Sequence, residues 1–177
     1  MTFNEKYPGE TLRALSWKQP FASLMLHGKV ETRVWDTKYR GWVLICASKA
    51  PYPVLEFADI VGDQGKRVIE TLGLEIVKAR GNYKFFLDKD KMPLAKAIAI
   101  GRLVSSKKMD GFAFVRGLDQ PNITYSEMIE RKTFVKYNAD LWCHSYADVQ
   151  PIVPFEWHGS QGWRTVDEET KSKIILL

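Results

Sequence analysis

The sequence predicts one mixed α+β domain spanning residues 1–177, with a curved or closed sheet and flanking helices. Three observations point there. The length is that of one domain at roughly 100–200 residues, and the chain has neither an internal repeat nor a low-complexity linker. Apolar runs of strand length outnumber the stretches at helical spacing. Composition is 45% apolar and 27% charged, which excludes collagen-like, coiled-coil and disordered classes. A chain of this size buries about 70% of its unfolded surface, so its core needs no disulfide or metal staple.

The elements follow in order. Residues 11–16 alternate weakly and predict a strand. Pro20 suits the first turn of a helix that runs through Phe21, Leu24, Met25 and His27 to stop at Gly28. Residues 30–35 (VETRVW) alternate strictly, with Glu31, Arg33 and Trp35 on one face and Val30, Thr32 and Val34 on the other. The KYRG turn leads into WVLICAS, residues 42–48, a nearly continuous apolar run that predicts a strand crossing the core. Residues 51–87 show helical spacing punctuated by glycines and predict one or two helices and a loop, a variable insert of about 51–90. Residues 95–104 predict a strand with a bulge or bend at Gly101. A short helix is expected over 125–130 and strands over 141–146 and 149–154, the second limited by Pro151 and Pro154. A loop at 159–162 precedes a final helix or strand over 167–176.

Charge is unevenly placed. The 26 Lys and Arg against 21 Asp and Glu leave a net +5. Between Trp17 and Lys49, six basic residues face two acidic ones, a local +4 beside Trp17, Trp35, Trp42 and Tyr39. Such a patch suits a partner with phosphate and a flat base. Cys46 and Cys143 sit in apolar or aromatic runs and read as buried thiols, too few for a disulfide framework or a zinc site. His27, His144 and His158 have no metal-ligand spacing and read as surface or core histidines. Neither metal nor cofactor is therefore expected. Residues 1–10 carry charges and no apolar stretch, so no signal peptide is expected. No run approaches 18 apolar residues, so no membrane span or membrane partner is expected either. A cytoplasmic setting is the default.

The chemistry centres on Glu31 and Arg33. Two opposite charges on one strand face make either a surface ion pair or part of a site in which Trp17, Trp35, Tyr39 and Arg40 stack a base while Lys29, Lys38 and Lys49 meet phosphate. Lys29 beside Glu31 also reads as a proton-transfer couple, provided burial lowers the lysine pKa.

Residues 14–49 resemble the ASCH domain family, through LSWKQPFASLML, GKVETRVW, the TKYRG turn and VLICASK. A second stretch is similar to the family's C-terminal part: AIAIGRLV, LWCHSYADVQPIVPF and the GSQGWR loop. The resemblance implies a PUA-like small β-barrel with flanking helices, its core motif region within 11–49. It also implies an RNA- or nucleotide-facing cleft lined by Gly28, Lys29, Glu31 and Arg33. The motif departs from the family in placing Lys29 two residues before Glu31, not three. Some small members resemble amidohydrolases of N4-acetylcytidine, with a threonine where Glu31 stands here; others resemble ribonucleases. Thr32 is expected on the opposite strand face.

The expected function is binding of RNA or a modified nucleotide or nucleoside. The alternative is a small hydrolase with Lys29 and Glu31 as its catalytic pair. Arg33 is expected to grip phosphate or ribose, and Glu31 a base edge. Lys29 either contacts ligand or lies on a solvated turn. Trp17 and Trp35 either stack or plug the barrel end. Gln19 either presents its amide to the cleft or merely starts a helix. Tyr39 and Arg40 either bind or close a turn, and Lys49 is expected on phosphate. Ser160, Gln161 and Trp163 form either a far wall or a plain connection; Trp42, Trp142 and Trp157 are assigned to the core.

Overall fold

The sheet is organised around the apolar run that the sequence marks out. In the computed structural model, which describes residues 1–51, 64–74, 76–79, 82–85, 92–111, 124–159 and 162–177, this run is β3 (Gly41–Ala47). Trp42, Leu44 and Cys46 enter one core cluster, while Val43, Ile45 and Ala47 enter another on the opposite face. Burial on both faces is why the run is continuous rather than alternating.

The other described strands are β1 (Leu12–Trp17), β2 (Glu31–Arg33), β4 (Ile76–Ala79), β5 (Asn82–Phe85), β6 (Lys96–Lys108), β7 (Trp142–Glu156) and β8 (Arg164–Thr165). Six of them form one curled sheet in the order β2-β7-β6-β3-β1-β8, a half-barrel in which only the β1–β3 pair is parallel. β4 and β5 form a separate hairpin within the insert for which only helices and a loop are expected. Curling comes from the long strands β6 and β7, whose register shifts near Ala97, at Gly101 and near Leu103. Such bulges bend a strand and deepen its twist. The Gly101 shift is the bend that the sequence predicts. A Cβ there would meet Val149 Cγ2 at 3.0 Å.

β7 runs unbroken where two strands are expected. Across from β6, Ala97 aligns with Phe155 and Ala99 with Pro151, so residues 152–154 bulge away from that partner. The C-terminal tail takes them up: Val153 N–H donates to Ile175 O at 2.9 Å, and Leu177 N–H donates to Pro151 O at 3.2 Å. A proline's missing N–H costs no ladder bond at such a bulge.

The helices are α1 (Phe3–Lys6), α2 (Phe21–Leu24), α3 (Gln64–Leu72), α4 (Tyr125–Thr133) and α5 (Glu168–Lys173). α1 contributes Phe3 to the cluster of Leu12, Trp42, Leu44 and Ile152, which Ile174, just past α5, also joins. Both of these helices open on side-chain caps, from Thr2 and Asp167. α2, α3 and α4 cover the other end through Leu24, Val68 and Ile129, packed with Met109 and Cys143. α4 begins at the expected position, with Thr124 and Glu127 forming a reciprocal capping box. No helix among the described residues is long and apolar enough to cross a membrane.

The half-barrel's edges, β2 and β8, do not pair with each other. Trp35, just past β2, meets Trp163, just before β8, with ring centroids 6.0 Å apart. Tyr39 backs this seam at 5.3 Å from Trp163. Its hydroxyl donates to Trp42 O at 2.8 Å, and Gly41, at φ +147°, must lack a Cβ that would lie 2.8 Å from that hydroxyl.

Candidate functional site

The site begins at the turn after α2. Residues 25–27 continue α2 as a 3-10 turn and end at Gly28, which takes φ 78°. Gly28 N–H donates to Met25 O, and Lys29 N–H to Leu24 O at 3.2 Å. This paired closure is a Schellman motif, and it needs the left-handed residue that glycine supplies. The chain then turns inward. Val30 N–H is held by Lys132 O at the end of α4, and β2 leaves along the edge of the sheet beside β7.

Lys29, Glu31 and Arg33 therefore stack as cation, anion and cation. Lys29 Nζ lies 3.3 Å from Glu31 Oε2, and Arg33 Nε lies 3.1 Å from Glu31 Oε1. The side chains are 1%, 7% and 23% exposed in that order, so this is not the surface ion pair that spacing alone permits. Lys29 Nζ also donates to Val30 O at 2.9 Å and stands 5.1 Å from the Phe21 ring centroid. The solvated-turn reading of Lys29 is corrected by this burial, which holds its pKa below the ordinary lysine value despite Glu31 beside it.

Arg33 donates to Ser16 O at 3.0 Å. Its guanidinium lies 5.4 Å from the Trp17 ring and 5.9 Å from that of Trp35. These distances are those of cation–π contact.

A cavity of about 870 Å³ opens above this stack. Trp17, Lys18, Glu31, Arg33, Trp35 and Lys49 line one side, with Trp157, His158, Gly159 and Gly162 opposite. Glu31, Arg33 and Trp35 thus share a cleft with the two described glycines of the 159–162 loop. Ser160 and Gln161 lie outside the described residues. Trp163 packs on Trp35 at the seam. Trp157, assigned to the core by sequence, is buried and also lines the cleft.

Three atoms on this wall have no hydrogen-bond partner among the described residues: Trp17 Nε1, Glu31 Oε2 and Arg33 Nε. The two carboxylate contacts are ion pairs of 3.3 and 3.1 Å. Glu31 Oε2 is nonetheless charge-paired with Lys29, and Arg33 Nε with Glu31 Oε1, which leaves the enclosed Trp17 Nε1 as the atom without a polar neighbour among the described residues.

Other expected residues are engaged elsewhere. Gln19 is fully buried; its amide donates to Pro93 O at 3.1 Å and accepts from Ser23 N–H at 3.0 Å. It anchors α2 and presents nothing to the cleft. Arg40 donates to Thr37 O and Tyr39 O, closing its turn beside a different surface hollow that Tyr7 and Asp148 line. Tyr39 serves the seam. Cys46 and Cys143 are buried free thiols. Burial pushes Cys46 up strongly and Cys143 to about 11, so neither is a thiolate near neutral pH. Among the described residues no group of three His, Cys, Asp or Glu is arranged to hold a metal.

Sequence reading missed His144 and Tyr146. They stand two apart on β7, and His144 is directly opposite Glu31. His144 is fully buried. Its Nε2 lies 3.2 Å from Trp35 O, which makes Nε2 the donor and leaves Nδ1 without a partner among the described residues. The Tyr146 hydroxyl is likewise unpartnered, and burial, then the Glu31 charge, raises its pKa. The alternation of CHSY was the available signal; the pairing partner was not.

Burial lowers the His144 pKa, outweighing Glu31, Asp36 and the Trp35 carbonyl, which favour the cation, while Arg33 opposes it. The unfolded chain then binds more protons in the window below about 6.5, so stability present above that value is lost as pH falls. In thermal melts from about pH 7.5 to about pH 5, His144→Gln should lose less Tm than the wild type. Parallel losses would show that His144 is not held neutral by the fold.

Compared with known proteins, the chain matches no family model and no curated protein.

Proposed function

We propose that the chain binds RNA or a modified nucleotide in the cleft over β2, as a PUA-like domain of the ASCH type. Arg33, on the wall of the 870 Å³ cleft beside Trp17 and Trp35 and paired with Glu31, carries this reading. A base edge offers donors and acceptors to Arg33 and Glu31, and its flat face suits the partly exposed Trp35 ring. Lys49 and Lys18 at the rim supply the charge that phosphate requires. Arg33, already oriented by Ser16 O, has a planar fork fit for phosphate or ribose.

The alternative, a small hydrolase, draws support from the lowered Lys29 pKa beside Glu31. Its weakness is position. Lys29 is packed beneath Glu31 against Phe21, 1% exposed, and borders not the 870 Å³ cleft but a smaller cavity beside it.

Fluorescence anisotropy with a labelled single-stranded RNA tests the proposal. Affinity should fall with salt, with a log–log slope of about −0.7 per phosphate contacted, and Arg33→Ala should weaken binding by about tenfold or more. Incubation with N4-acetylcytidine or labelled RNA tests for turnover. If Arg33→Ala and Glu31→Gln alter neither binding nor turnover, the site is elsewhere.

A further inference from the structure

A second cavity, of about 750 Å³, lies on the other side of β2. It shares Phe21, Glu31, Thr32, Arg33 and Trp35 with the first. The two therefore flank β2, the last strand of the sheet. The far wall of the second cavity is the segment after α4, where Lys136 and Tyr137 are exposed. Beyond the side chains the two cavities share, the first has Lys18 and Lys49 with Trp17 and Trp157, and the second has Lys29 and Lys136 with Tyr137, so each side of β2 has cations and at least one ring of its own.

A single nucleotide brings one base and one phosphate and uses one such set. Two sets on either side of one edge strand match consecutive nucleotides of one strand. We infer that the physiological ligand is a single-stranded oligonucleotide that crosses β2 and places neighbouring nucleotides in the two clefts; this rests on the nucleotide reading of the first cleft. A base must be unpaired to lie on a ring in this way, so a duplex is not the ligand.

Titration calorimetry on the whole chain with a mononucleotide, a single-stranded tetranucleotide and a duplex of matching sequence tests this. The tetranucleotide should bind about tenfold tighter than the mononucleotide, the gain of one stacked base. Tyr137→Ala should remove most of that gain and leave the mononucleotide Kd unchanged, and Lys136→Glu should do the same. Both side chains are exposed, so wild-type melting is expected of each variant. Equal affinity for mononucleotide and tetranucleotide would overturn the inference while leaving the first cleft's reading intact. So would tighter binding of the duplex, or Tyr137→Ala weakening both single-stranded ligands alike. If none of the ligands binds, the nucleotide reading itself falls, and this inference with it.

Discussion

Glu31→Ala is expected to destabilise the protein by about 3–5 kcal/mol, because it strands a buried ammonium. Lys29 is 1% exposed and has Glu31 as its counter-ion; without that carboxylate it keeps the Val30 carbonyl and the Phe21 ring while facing the Arg33 charge. In a chain of this length the loss corresponds to a fall in Tm of roughly 10 °C. The asymmetry of the stack sharpens the test. Lys29→Met leaves Glu31 still paired with Arg33 at 3.1 Å, and methionine fills similar volume against Phe21, so its cost should be less than half as large. Replacing a buried charge by a well-packed apolar group is often close to neutral. Thermal and urea unfolding of the two variants decides it. A Lys29→Met loss equal to that of Glu31→Ala would mean that the three charges act as one indivisible unit.

Trp17 yields the second large effect, and two substitutions separate its packing from its polar atom. Trp17 is 2% exposed and packs with Leu15, Met25 and Val43 in the barrel interior. Trp17→Ala should therefore cost about 3–5 kcal/mol. Trp17→Phe keeps a ring beside Arg33 and Tyr146 and removes an indole N–H that has no partner among the described residues. Relieving an unpaired buried donor, worth about 1–3 kcal/mol, offsets part of the lost packing. Trp17→Phe should melt close to the wild type yet bind RNA a few-fold more weakly, because a smaller ring holds the Arg33 guanidinium less firmly at the cleft. Binding unchanged in Trp17→Phe would make Trp17 a core plug only.

Local pattern carried much of the fold. Alternation in ETR put Glu31 and Arg33 on one face, and β2 keeps them there. The run WVLICA has to be a strand buried on both sides, as β3 is. What failed was non-local. Pro151 and Pro154 look like breaks to a reader of the chain alone, because the tail that pairs with residues 151–153 lies more than twenty residues further on. A Gly-Lys pair reads equally as a ligand contact or a solvated turn, since nothing near it in sequence announces that the Schellman closure turns Lys29 beneath Glu31. His144 was invisible as a site neighbour for the same reason: strand register, which sets it opposite Glu31, is written in two segments more than 100 residues apart. The charge patch survives, but divided. Arg33 and Lys49 face the cleft, Lys29 is buried under it, and Arg40 serves another surface.

The seam between β2 and β8 bears on how such a cleft can be retuned. Had those strands joined by a backbone ladder, the width of the opening would be fixed in steps of about 4.8 Å, the spacing of one strand from the next. Here two indole rings span the gap, and rings can be exchanged for smaller or larger side chains without breaking a single backbone hydrogen bond. The aperture is set by side-chain size, adjustable by point substitution at Trp35 or Trp163, while the curled sheet that holds the charges stays as it is.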